Sequence, residues 1–240
     1  MSFLIFLISV ASLSFATTIA GNPNTEYREY DFNALDKIRV TNTSGKITVV
    51  PMPAQKVIIS ITKKKFSERC TATIARPSID EVLVEINKPL GEVCEADIDM
   101  QVPAKVNLDI TSGSGNVAIN GNEGNLHFTI GSGSLQAKGD FKSVDGKSGS
   151  GDVKLEGLTH GGNVNVGSGR VDLSFNDNPQ GEFDVKTGSG AATLNFPKDS
   201  KIKAALEAGS GAVANDFTNN PSGYGISVKT GSGDLSVKSY

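Results

Sequence analysis

The 240 residues include no tryptophan, two histidines, two cysteines and three methionines, and only 6% are aromatic. Each shortage removes a class of function. The two histidines, His127 and His160, have no histidine or cysteine at zinc-ligand spacing, and no cofactor is implied. With so few rings, a stacking platform for sugars is poorly supplied. Net charge is −3 without a basic block, so nucleic acid is not an implied partner. The one lysine run, residues 63–65, follows an apolar strand and reads as a solvated hairpin tip. Beyond about residue 20 no segment carries helical periodicity or caps, and no apolar run is long enough to span a bilayer.

Glycine, by contrast, is abundant, with 27 residues. The triplet Gly-Ser-Gly begins at Gly113, Gly131, Gly149, Gly167, Gly188, Gly209 and Gly231, in steps of 18, 18, 18, 21, 21 and 22 residues. A linker keeps no such period, whereas a stacked repeat does. Between triplets apolar and polar residues alternate, as half-buried strands require. Two residues past each triplet stand Val117, Leu135, Val153, Val171, Ala192, Val213 and Leu235. Four past it stand Ile119, Ala137, Leu155, Leu173, Leu194, Asn215 and Val237, where only Asn215 breaks the apolar column. Each unit therefore reads as strand, glycine corner, strand and second turn. Such units bury their apolar side only by stacking about 4.8 Å apart. The expected fold is all-β: a parallel, right-handed β-solenoid of 18–22-residue coils, with the triplets as aligned corners. An early rung around Gly45 fits the same template inside a more irregular β region over 21–105, and the regular solenoid covers 106–240.

Six residues past the triplet the column changes from Gly121, Gly139 and Gly157 to Phe175, Phe196 and Phe217. The short coils are expected to turn on that glycine. The long ones are expected to bury a stacked ring column in a wider end. The final coil, residues 226–240, is expected to leave an open edge for self-association, with Lys229 and Lys238 as guards against uncontrolled pairing.

Catalytic and metal chemistry find little support. The residues after the triplets are Asn116, Ser134, Asp152, Arg170, Ala191, Ala212 and Asp234, too few acids for ordered calcium turns. Nothing resembles a nucleophile elbow. Outward charges alternate in sign from coil to coil, Lys138 facing Glu156 and Lys154 facing Asp172, which supports register rather than catalysis. Residues 1–20 are apolar and end in small residues, as in a secretory leader cleaved after Ala16 or Ala20, or kept as an anchor. Export would favour a disulfide between Cys70 and Cys94, the only two cysteines.

The stretch "IDMQVPAKVNLDITSGSGNVAINGNEGNL", the earlier "NTSGKITVV" and the recurrent Gly-Ser-Gly coils resemble the bacterial putative-adhesin family of β-strand-repeat envelope proteins, over roughly residues 36–240. The resemblance implies architecture and an adhesin-like role, and no catalytic residue. The expected function is a non-enzymatic, exported scaffold, periplasmic or at the cell surface, that binds an envelope or extracellular protein or glycan. The alternatives are a polysaccharide-acting enzyme and a self-associating envelope component.

Overall fold

The computed structural model describes residues 24–240 except Asn33 and Ala54. The expected leader, residues 1–20, lies outside the described residues. Every regular element described is a β-strand. The first seven are β1 (Thr25–Asp31), β2 (Lys37–Ser44), β3 (Ile47–Met52), β4 (Lys56–Phe66), β5 (Thr71–Ala75), β6 (Glu81–Asn87) and β7 (Cys94–Pro103). Seven strand pairs follow, each joined by one Gly-Ser-Gly corner. They are β8 (Asn107–Ser114) with β9 (Val117–Asn122), β10 (Asn125–Ser132) with β11 (Leu135–Gly139), and β12 (Ser143–Ser150) with β13 (Val153–Leu158). Next come β14 (Gly162–Ser168) with β15 (Val171–Phe175), and β16 (Phe183–Ser189) with β17 (Ala192–Phe196). The last are β18 (Ile202–Ser210) with β19 (Val213–Asn215), and β20 (Tyr224–Ser232) with β21 (Leu235–Ser239).

The two members of each pair lie in different sheets, one of 11 strands and one of 10. From β8 to β17 each strand pairs in parallel with the equivalent strand of the next pair, in the register set by the triplets. Alternation decides which side chains meet between the sheets. In β10, Leu126, Phe128 and Ile130 are buried while His127 and Thr129 are exposed. The core is a set of such columns with large residues set against small ones. Phe128 fills space left by Gly146, where a β-carbon would lie 2.1 Å from the ring. Phe183 packs similarly beside Gly162.

Order in space departs from order in sequence at both ends. The early rung, β2 and β3, pairs directly with β8 and β9, and the later β6 and β7 stack outside it. Antiparallel strands then close this end: β5 on β6, β4 on β7 and β1 on β4. At the other end the last pair, β20 and β21, inserts between β16/β17 and β18/β19. This corrects the expected edge. Residues 226–240 are internal, Ile226, Val228, Leu235 and Val237 are buried, and the open rung is β18 with β19. Lys229 and Lys238 therefore sit on an interior rung and guard no edge. Tyr240 is also tied down: it donates its N–H to the Phe196 carbonyl and accepts from Lys198 N–H, both at 3.1 Å.

A second correction concerns the glycine column. Gly121 and Gly157 do not end their strands; they have φ of 68° and 89° within β9 and β13. At Gly157 the register slips by one, so that Leu158, fully buried, stands opposite Phe175. A left-handed glycine acts as a bulge that re-aims the next side chain inward. The unit ending at Leu158 thus keeps an apolar residue where the long ones place phenylalanine, while after Gly121 the inward residue is the buried Asn122.

Candidate functional site

The corner edge of the stack repeats the same residues from rung to rung. Glycine is obligatory there for two separate reasons. Gly190 has φ of 142°, and a β-carbon on it would lie 2.0 Å from the Gly169 carbonyl oxygen. Gly188 needs no unusual φ, but its β-carbon would sit 2.6 Å from the Gly167 oxygen. With the side chains gone, the corners bond to each other. The N–H of Gly45 donates to the Ser114 carbonyl, Gly115 to Ser132, Gly133 to Ser150 and Gly151 to Ser168, at 2.9–3.2 Å. The series continues from Gly169 to Ser189, Gly190 to Ser232 and Gly233 to Ser210, at 2.8–3.0 Å. It passes through the exchanged last rungs without a break.

The middle serines consequently stand in line. Ser114, Ser132, Ser150, Ser168, Ser189, Ser232 and Ser210 occupy paired positions and all are exposed. Strand spacing sets them about 4.8 Å apart. Beneath them a buried polar row supports the corner. Thr187 Oγ1 donates to Thr230 Oγ1 at 2.8 Å and contacts the Gly190 carbonyl at 3.1 Å. On the outer face beside the glycines run Lys147, Asn165, Lys186, Lys229 and Glu207, on consecutive strands. Lys229 Nζ lies 2.7 Å from Glu207, and this bond holds the Glu207 carboxyl below its ordinary range and the lysine above its own.

The residues following the triplets have a use that spacing alone did not reveal. Asn116 Oδ1 accepts the N–H of Ser134 at 3.2 Å, Asp152 that of Arg170 at 2.8 Å, and Asp234 that of Ala212 at 2.9 Å. Asp97 serves Lys46 in the same way at 3.0 Å. These acceptors stitch neighbouring corners together. The signal was present in the sequence: Asn or Asp recurs at this place, on every second rung from Asp97 to Asp152 and again at Asp234.

The remaining singled-out residues lie away from this edge or support it. Phe175 and Phe196 are fully buried and stacked, while Phe217 is only partly buried. Cys70 and Cys94 are bonded, with Cα atoms 5.8 Å apart. The Cys94 carbonyl accepts from Thr43 Oγ1 at 3.1 Å, so the bridge anchors the corner edge at its closed end. His127 Nδ1 faces Asp145 at 3.7 Å and His160 Nδ1 contacts Thr159 Oγ1 at 2.8 Å. Among the described residues no group of His, Cys, Asp or Glu is arranged to hold a metal ion. The edge offers hydroxyls and bare backbone, a chemistry of contact and hydrogen bonding.

The sequence profile of the Toastrack DUF4097 family matches residues 32–238. The chain belongs to this family. No curated protein matches it by sequence. A putative adhesin from Bacteroides fragilis is similar in structure, with TM-score 0.57 and 15% identity over 90% of this chain and 98% of that one. A putative cell adhesion protein from Clostridium sporogenes gives TM-score 0.46 and 16% identity over 91% of this chain and 100% of that one. A putative lipid binding protein from Parabacteroides distasonis gives 0.44 and 13%, over 92% and 100%. At these identities the likeness of the Toastrack chain to the Bacteroides protein is one of fold.

Proposed function

We propose that the protein is an exported, non-enzymatic β-solenoid, right-handed, that presents a rigid surface for adhesion or binding at the cell envelope. The observation that carries this reading is the serine ridge: seven exposed hydroxyls held in register by a backbone ladder that runs from corner to corner. A surface so regular is preorganised, and a partner loses little to reordering it. The apolar leader and the Cys70–Cys94 bridge support export into an oxidising compartment. The adhesin name borne by the Bacteroides fragilis protein of the same fold agrees with the reading.

The experiment is a pull-down with full-length protein against bacterial envelope fractions and host-surface extracts, with Ser132→Ala/Ser150→Ala/Ser168→Ala as the partner sample. Retention by wild type and loss in the triple variant is the expected result. Equal retention of both would remove the ridge from the binding surface. Failure of wild type to bind any fraction would refute adhesion.

A further inference from the structure

On the outer face of the 10-stranded sheet, away from the ridge, the last three strands and the segment that carries Asn219, Pro221 and Gly223 enclose a trough of about 770 Å³ that the ridge does not include. Its floor is nearly bare: Gly225 and Ser227 on β20, with Ala205 beside them on β18. Glu182 and Asp184 form one wall, and Lys203 forms the other.

Gly225 is the anomaly. A glycine inside a strand weakens it, and is found at bulges, at close backbone approaches or where a ligand comes near. Strand β20 pairs with β18 from Tyr224 and with β16 from Ile226, in neither case with a register shift. A β-carbon at Gly225 would meet nothing closer than 3.7 Å, and the atoms it would meet belong to the Glu182 side chain. Its φ is not in the left-handed region. Neither bulge nor crowding accounts for it, in contrast to the ridge glycines. What the missing side chain provides is open space between Glu182 and Lys203.

The walls are chemically mixed. Asp184 Oδ2 pairs with Lys186 at 3.1 Å, but its Oδ1 is buried without a hydrogen-bond partner. Glu182 adds a second carboxylate, and Lys203 supplies an ammonium across the floor. The charges of Glu182, Asp184, Lys186 and Lys203 sum to zero. An anion would face two carboxylates and a cation would face Lys203. A hydroxyl suits both walls, because it donates to carboxylate and accepts from ammonium. No exposed ring lines the trough, so recognition would come from hydrogen bonds and not from stacking. The volume lies within the ordinary range for small-ligand sites. We infer that this trough is a binding site for a neutral oligosaccharide, a proposal that rests on the adhesion reading and gives it a ligand class.

The test uses full-length protein on an array of neutral di- to tetrasaccharides built from glucose, galactose, mannose and N-acetylglucosamine, with sialylated and sulfated counterparts alongside. Wild type should bind a neutral member. Gly225→Val, which has room and suits a strand, should melt no lower than wild type and bind that member at least about tenfold more weakly. Glu182→Gln keeps the shape, removes one charged acceptor and should also weaken binding about tenfold. It decides the matter if the valine variant folds poorly. Absence of neutral-glycan binding by wild type, or affinity unchanged in the folded variants, would overturn the trough. Preference for the acidic counterparts would also overturn it. Envelope fractions tested in parallel separate the two ideas: Gly225→Val and wild type adhering equally would sink the trough and leave adhesion standing.

Discussion

Phe196 stacks on Phe175, with ring centroids 4.4 Å apart and planes 16° from parallel, whereas Phe217 meets Phe196 edge-on at 6.0 Å. The three rings share one place in the repeat but not one environment. Strand β21 lies between their rungs, so the residue paired with Phe196 is Ser239, and Phe217 reaches it from the rung beyond. Phe196→Ala should therefore lower unfolding free energy by about 3–5 kcal/mol, the usual cost of emptying a filled core site. Phe217→Ala, removing a partly buried ring, should cost about 1–2 kcal/mol. Urea denaturation of both variants checks the order, and equal losses would mean that Phe217 is as enclosed as its neighbours.

The same rungs show what a sequence can and cannot disclose here. The period was legible because each corner forbids a side chain at Gly188 and Gly190, a constraint that repeats with the fold. The exchange of the last two rungs was not, since alternation tells which face a residue takes and not which neighbour it meets. Asn215 was the available clue. It breaks an apolar column because its rung ends the stack and leaves it exposed. The Gly157 bulge was hidden for a related reason: a glycine that turns the chain and one that slips the register by a residue look alike in sequence. The trough was harder still to see, because Glu182, Gly225 and Lys203 meet only after the exchange places β20 between β16 and β18.

Corner glycines and corner serines should respond to substitution in opposite ways. Gly190→Ala forces a β-carbon to 2.0 Å from the Gly169 carbonyl at a φ of 142°. Strained backbone together with the displaced rung should cost roughly 2–4 kcal/mol. Ser189→Ala, at the exposed position between two such glycines, should stay within about 0.5 kcal/mol of wild type. Thermal melts of the pair test this, and a marked loss for Ser189→Ala would make the ridge a stability element rather than a free surface.

The Cys70–Cys94 bridge spans a sequence separation of 24 residues and ties β7 to the turn before β5. Closing a loop of that length should contribute about 3 kcal/mol, chiefly by restricting the unfolded chain. Protein recovered from an oxidising compartment should show no free thiol when labelled denatured and unreduced. Cys70→Ser/Cys94→Ser should unfold at lower denaturant by that amount, yet keep the corner ladder. Two reactive thiols in the unreduced protein would refute the bridge.

The open end of the stack makes the last prediction. Strand β18 pairs only with β20, and a nine-residue strand with one free side is an invitation to association. Part of that side is already occupied. Asn219 Oδ1 accepts the Ala204 N–H at 2.8 Å, and its Nδ2 donates to the Ala204 carbonyl at 3.1 Å. The N–H of Asn220 donates to the Ile202 carbonyl at 2.9 Å. One side-chain amide thus bonds as the next strand's backbone would, while Leu206 and Ala208 farther along remain partly exposed. Asn219→Ala should expose both Ala204 groups, lower stability by about 1–2 kcal/mol and lengthen the free edge. Sedimentation velocity over a concentration series should then show dimers or larger species at concentrations where wild type sediments as a smaller one. Adding Leu206→Lys to the same chain places a charge on the edge and should reverse the association. If Asn219→Ala sediments like wild type while its lowered stability confirms the lost bonds, the amide holds a loop in place and guards nothing.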